Sequence, residues 1–277
     1  MINVREEMMA RNMASRCVAL PCPAPPIVET EKTPRAKRSL MSYLPLKLLC
    51  AVALCAAPLL AGVNAEGKAV LEALYKSYGG KERIAASRTL EQTGKAHSVM
   101  KNATYELERS YRYPDRLSIV KRDGTHPSEV RKLSGSEGWR DGTPVTGMLF
   151  DAMTLQAARM TVPLMLLENE ANLRYSGLLK SDNGRSWHIF RIPLAKNGHL
   201  MVQVEPGSFL IRATAGIMPA ANGGRLEFVT TYDRFERFGG LLVATKEQHY
   251  AMGNYVGWSE IAATRFPATL PDALFRP

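Results

Sequence analysis

Apolar and polar positions change rhythm several times along this chain. Residues 47–67, KLLCAVALCAAPLLAGVNAEG, form its most apolar run. A membrane-spanning helix needs about 20 apolar residues to cross a hydrocarbon core about 30 Å thick; the uncharged stretch 48–63 is shorter and contains Pro58. A secretory signal needs a basic start, an apolar core of about 7–15 residues and a small-x-small cut site. Lys47, the run to Leu60, and Val63-Asn64-Ala65 supply these, so the expected cut follows Ala65. Leu49 before Cys50 and Leu54 before Cys55 are too large for the tight pocket that reads a lipid-anchoring cysteine. Residues 1–40, which include PCPAPPIVETEKTPRAKR, have no apolar period and a composition that rarely folds. They read as a disordered extension or as sequence ahead of a true start at Met41, from which a signal at 41–65 has ordinary length. An uncut signal that stays as a tether is the alternative.

Beyond the cut the period is helical, then alternating. GKAVLEALYKSYGG sets Val70, Leu71, Leu74 and Tyr78 on one helix face and stops at Gly79-Gly80. KERIAAS gives a second short helix. From Thr89 onward TLEQTGKAHSV, TYELERSYRY and RLSIVKR alternate as strands of an antiparallel meander. SEVRKLSGSEGWRDGTPV continues it, with turns at Gly135 to Gly138 and at Asp141-Gly142. Residues 147–173, GMLFDAMTLQAARMTVPLMLLENEANL, lack a strand period and read as one or two Met-rich helices interrupted at Pro163. Strands then resume, with turns at Asp182-Asn183-Gly184, Pro206-Gly207, Gly239-Gly240 and Gly253-Asn254. The sum is roughly ten strands interrupted once by helix, in a single domain over 66–277. A meander of that length curls, and the apolar helical segments are the available plug for its concave side.

Composition narrows the chemistry. All four cysteines, Cys17, Cys22, Cys50 and Cys55, precede the expected cut, so the exported part has no disulfide, thiol nucleophile or zinc–cysteine site. The formal net charge is +10, of which +4 sits in the leader and +6 in the mildly basic exported part, where the charges are scattered rather than gathered on one face. Nucleic acid is therefore not an expected partner. His97, His126, His188, His199 and His249 stand singly, with no spacing that sets two imidazoles on one metal, so no metal and no cofactor is expected. SGSEG has Ser134 where a hydrolase elbow requires glycine. SVMK (Ser98, Lys101), SDN and KNG occur in the order used by serine β-lactamases. That serine must open a buried helix, however, and Ser98 lies in an alternating strand. A serine hydrolase using Ser98 and Lys101 is the weakest alternative, and no catalytic residue is assigned.

YDRFERFGGLLVATKEQHY followed by IAATRFPATLPDALFRP resembles the closing strands and tail of the LolA-like, outer-membrane lipoprotein-sorting superfamily. YKSYGGKERIAASRTLEQTG is similar to the amino-terminal helix and first strand of its uncharacterised periplasmic branch; YRYPDRLSIV and GSEGWRDG are similar to its second strand pair and Gly-Trp turn. The resemblance implies an α+β fold, mainly β: an unclosed antiparallel barrel wrapped around helices, with an apolar cavity for acyl chains.

The expected function is a periplasmic, non-enzymatic carrier or sensor, a monomer that binds lipid or lipoprotein acyl chains beneath a Met-rich lid. The candidate lid residues are Met148, Leu149, Phe150, Met153, Leu155, Met160, Leu164, Met165 and Leu167. Methionine is flexible and polarizable enough to fit chains of different shape, although such a stripe serves ordinary core packing equally well. A module that captures segments of envelope or inner-membrane proteins along a sheet edge is the second expectation.

Overall fold

The computed structural model describes residues 63–124, 126–181, 184–220 and 223–277. The extension at 1–40, the signal up to residue 62 and the Asp182-Asn183 part of the expected hairpin turn lie outside the described residues.

Helix α1, Ala65–Tyr78, opens where the Asn64 carboxamide accepts the Gly67 N–H at 2.8 Å, with Glu66 in the first turn. Both features suit the unpaired N–H groups and positive pole of a helix start. It stops at Gly79 (φ 122°), where Gly80 N–H bonds the Tyr75 carbonyl at 2.8 Å and Gly79 N–H the Lys76 carbonyl at 3.3 Å. A left-handed residue is needed for that paired stop, and a side chain at Gly79 would also meet the Gly240 carbonyl oxygen, 2.6 Å from its Cβ position. The expected stripe of Val70, Leu71, Leu74 and Tyr78 is buried. Helix α2, Lys81–Ala86, follows and buries Ile84.

Among the described residues thirteen strands then form one antiparallel sheet. The first six are β1 (Thr89–Ser98), β2 (Ala103–Arg112), β3 (Arg116–Asp123), β4 (His126–Ser134), β5 (Glu137–Arg140) and β6 (Thr143–Pro144). After helices α3 (Gly147–Ala158) and α4 (Val162–Glu168) come β7 (Arg174–Lys180), β8 (Ser186–Pro193), β9 (His199–Val204), β10 (Ile211–Pro219), β11 (Arg225–Phe238), β12 (Leu241–Ala251) and β13 (Asn254–Arg265). The count exceeds ten because β5 and β6 are too short to show an alternating pattern. Pro163 sits in the first turn of α4 rather than at the break, since a first-turn proline gives up no intrahelical bond.

Strand order is β6-β5-β4-β3-β2-β1-β13-β12-β11-β10-β9-β8-β7. The first strand pairs with the last, so the free edges are β6 and β7, the two strands that flank the helical segment. A chain leaving one edge and entering the other must cross a face of the sheet. The sheet curls around that crossing. A Cβ at Gly138 on β5 would stand 3.0 Å from Phe150 of α3, and one at Gly216 on β10 would stand 2.7 Å from Leu155 of the same helix. In a flat sheet those strands would lie about 38 Å apart, eight spacings of about 4.8 Å, whereas a helix with its side chains is about 10–12 Å across.

Two cores result. One joins α1, α2 and α4 to β8–β12, with Leu74, Ile84, Leu164, Leu166, Phe190 and Val202 fully buried. The other sets Met153 and Ala157 of α3 against Leu107, Tyr111, Leu117 and Leu133 of β2–β4. On the opposite face of β2–β4 lies the C-terminal tail, with Phe275 buried, Asp272 paired to Arg112 and Arg116, and Arg112 over the Phe275 ring at 5.4 Å.

Candidate functional site

The concave side is not filled. A smaller chamber of about 90 Å³ lies between α2, α4 and β11–β12, lined mainly by apolar groups such as Ile84, Leu90, Leu164, Phe235 and Leu241. A larger one, about 310 Å³, lies beneath α3 and runs to the strand ends at Ser98, Met100 and Trp258. Arg159 and Met160, in the link between α3 and α4, line both.

The nine lid candidates fall into three groups. Leu155 and Met160 line the larger chamber, and Met160 and Leu164 the smaller. Met153 and Met165 are buried in the two cores, with Leu149, Phe150 and Leu167 packed half-buried against them. Met148 is 64% exposed at the start of α3. The geometry thus brings Leu155, Met160 and Leu164 together around open space and leaves Met148 outside it.

An ionic network that the apolar pattern did not reveal runs between the two chambers, with Arg109, His249 and Ser259 on the wall of the larger and Gln92 and Glu247 on that of the smaller. Arg109 of β2 reaches Glu247 of β12 at 2.7 Å and Ser259 of β13 at 2.8 Å, with Gln92 of β1 beneath it at 3.5 Å. His249 continues the line: its Nε2 is 3.0 Å from Ser259 Oγ and its Nδ1 is 3.2 Å from Thr230 Oγ1. Arg159 donates to Thr230. Next to this network Glu129 of β4 accepts from Arg131 at 2.5 Å and from Lys121 at 3.2 Å.

Electrostatics set the protonation states. Burial alone would raise the Glu247 carboxyl, but Arg109, His249 and Arg159 outweigh it and hold its pKa at about 2. Glu129 reaches about 2 in the same way, burial being overcome by Arg131 and Lys121. The His249 imidazole is pushed well below its ordinary 6.5 by burial and then by Arg159, so it is neutral at pH 7. Burial also lowers the Lys121 ammonium and the Arg159 guanidinium. The interior therefore combines apolar walls with fixed charges and a neutral imidazole.

The sequence carried a usable signal for this network. In TYELERSYRY the apolar phase is Tyr105, Leu107 and Tyr111, and Arg109 falls on it. Glu247 and His249 share the phase of Leu241 in the same way. Charges on the inward phase of a strand face the core, where they need partners.

The hydrolase elements do not converge. Ser98 ends β1, and Lys101 lies exposed in the following turn, its Nζ 5.8 Å from the Tyr105 ring centre. Lys196 is in the β8–β9 turn, paired to Asp151 at 2.9 Å. Among the described residues no group of three His, Cys, Asp or Glu side chains could hold a metal ion, and no helix is long and apolar enough to cross a membrane.

An unclosed antiparallel sheet wrapped around helices, with space left between them, is the LolA-like architecture that the sequence resemblance implies. Solved structures of similar architecture include a DUF1329 family protein from Desulfovibrio piger, with a TM-score of 0.49 and 13% identity over 76% of this chain and 96% of that one. A LolA superfamily protein from Nitrosomonas europaea is similar with a TM-score of 0.49 and 12% identity over 76% and 97%. A domain assigned to outer membrane lipoprotein sorting, from Vibrio parahaemolyticus, has a TM-score of 0.48 and 11% identity over 76% and 97%. No protein-family model matches the sequence, and no curated protein matches it. At these identities nothing about the site transfers, and the two chambers stand on this chain's own side chains.

Proposed function

We propose that this protein is a non-catalytic carrier or sensor of the bacterial periplasm that holds a lipid acyl chain inside the curled sheet. The observation that carries the reading is the pair of adjoining chambers enclosed where the α3–α4 segment crosses between the sheet's free edges. Apolar walls around unfilled space lose dispersion contacts that a hydrocarbon chain restores. Met160, shared by both chambers, is flexible enough to swing aside and join them.

Export by the signal at 41–65 is part of this reading, as is a mature chain that begins at Glu66. Such a cut would remove Val63, which packs into the first core, and Asn64, which caps α1. The test is to express the full chain in a bacterium with a two-membrane envelope, purify the exported product, record its intact mass, and extract it with organic solvent. An intact mass starting at Glu66 and co-purified acyl chains in the extract are the expected results. An extract free of acyl chains from correctly folded protein would defeat the carrier reading.

One observation favours a second reading, in which a peptide adds to the sheet. Edge strand β6 is two residues long and includes Pro144, which blunts it, but β7 is seven residues long, with Leu178 50% and Leu179 41% exposed. Long exposed edges invite strand addition. Leu178→Pro would abolish peptide capture at β7 and leave acyl-chain binding intact.

A further inference from the structure

The charges that line the larger chamber do not balance. Arg109, Lys121, Arg131 and Arg159 face it. Glu247 answers Arg109, and Glu129 answers both Lys121 and Arg131. Arg159 has no carboxylate within 4.0 Å among the described residues. Its Nη1 donates to Thr230 Oγ1 and stands 3.4 Å from His249 Nδ1, whose imidazole brings no negative charge. A guanidinium carries five N–H donors, so most of this one's capacity is unused by the protein. Neither Nε nor Nη2 is among the fully enclosed atoms that lack a partner, and the Arg159 side chain lines both chambers. Glu247 acts on this guanidinium only from beyond contact distance; a buried cation with no carboxylate in contact is costly, and a ligand that brings one recovers part of that cost.

We propose that the larger chamber binds the anionic head group of a single-chain amphiphile, its carboxylate or phosphate resting on Arg159, while the chain passes Met160 into the smaller chamber. The planar fork of arginine matches two oxygens of either group. Arg159 and Met160 line both chambers, so a head group on the first lies one residue from the doorway made by the second. The proposal rests on the acyl-chain reading above and specifies the polar end of the ligand. Lys121 and Arg131, on the wall of the same chamber, add attraction for the anion without losing Glu129.

Calorimetric titration of the exported product, delipidated, with dodecanoate, dodecanol and inorganic phosphate tests it. Dodecanoate should bind at least about tenfold more tightly than dodecanol, the discrimination expected of one charge-assisted contact pair. Phosphate alone should bind far more weakly than dodecanoate. Arg159→Met should remove the preference for dodecanoate and leave dodecanol within about twofold, whereas Arg159→Lys should keep much of it. Arg159→Met should also melt no lower than wild type without ligand, because it removes a buried charge that has no carboxylate in contact, and dodecanoate should raise the melting temperature of wild type more than that of the variant. Equal binding of dodecanoate and dodecanol by wild type would overturn the head-group assignment and leave the acyl-chain reading standing. Phosphate binding as tight as dodecanoate would make this a free-anion site and overturn the amphiphile. Failure of both dodecanoate and dodecanol to bind would sink the two readings together. If Arg159→Met proves unfolded, an Arg159→Lys variant with unchanged melting and unchanged preference for dodecanoate over dodecanol supports the cation's role, and loss of dodecanol binding in it contradicts that role.

Discussion

One sheet and one crossing segment build both halves of the interior, yet different forces hold them. Around the smaller chamber α1, α2 and α4 lie on β8–β12 through Leu71, Leu74, Ile84, Leu164 and Phe190, all at most 2% exposed. That half is held by non-directional burial, which tolerates an adaptable cavity. Between the two chambers, where Arg109 lines the larger and Glu247 the smaller, the strands are fastened by named pairs. Arg109 and Glu247 belong to β2 and β12, with β1 and β13 between them. Three strand spacings of a flat sheet come to about 14 Å, a span that two long side chains meeting at 2.7 Å cover, so this pair ties β2 to β12 across the two strands between them. The lesson is that one half of the interior is fastened by a few ionic contacts and the other by packing.

Breaking the ionic half should have the largest effect. Glu247→Ala leaves Arg109 buried without its carboxylate and should cost about 3–5 kcal/mol in urea unfolding. A cost below about 1 kcal/mol would mean that the pair does not fasten the strands. In the packed half Leu164→Ala should cost about 2–3 kcal/mol, the lower part of the range for such truncations, because one side of Leu164 already borders the smaller chamber. The same variant should gain more stability from a long-chain ligand than wild type does, and thermal melts with and without dodecanol compare the two gains.

Acid should separate the halves further. Unfolded His249 takes up a proton near pH 6.5, whereas the folded chain, with its imidazole pKa pushed well below that value, does not. Stability therefore falls as pH drops through 6.5, by up to about 1.4 kcal/mol per pH unit for one such group. His188 and His199 are also lowered, burial being the first cause in each, and add in the same direction. Glu247 and Glu129, at about 2 when folded against an ordinary 4.5, contribute stability that is lost only below about pH 4.5. Denaturation of His249→Gln at pH 8 and pH 5.5 should show a shallower loss than wild type; equal slopes would place the histidine outside the network. The smallest effect concerns the α1 start: in a chain that keeps residue 64, Asn64→Ala should cost about 1 kcal/mol through the lost cap, and in the product that begins at Glu66 that cap is already gone.

Much of the scaffold could be read from the residues. The α1 stripe ends at Gly79, the Asp141-Gly142 pair turns with φ of 51° and 81°, and the turn expected at Gly253-Asn254 falls one residue earlier, at Met252-Gly253 with φ of 49° and 77°, Asn254 opening β13. Such signals are local, and local sterics decide them. The Met-rich stretch announced its helices but not its roles, because Met148 and Met160 look alike in sequence and differ only in which side of the crossing they face. The ionic network was hidden for another reason. Arg109 and Glu247 are 138 positions apart, and each taken alone resembles a solvated strand residue. Only closing β1 against β13 brings them together, although their place on the inward phase of each strand was visible. The lack of a carboxylate in contact with Arg159 was less legible still, since it depends on which carboxylates fail to reach it.

The central claim is that the space under the α3–α4 crossing takes up hydrocarbon. Methyl NMR of the delipidated protein labelled at methionine methyl groups, titrated with dodecanol, tests it most directly. The Met160 methyl, on the shared wall of the chambers, should shift and saturate, while the exposed Met148 and Met252 methyls stay in place. Saturable shifts confined to Met148 and Met252, with Met160 unmoved, would contradict the account.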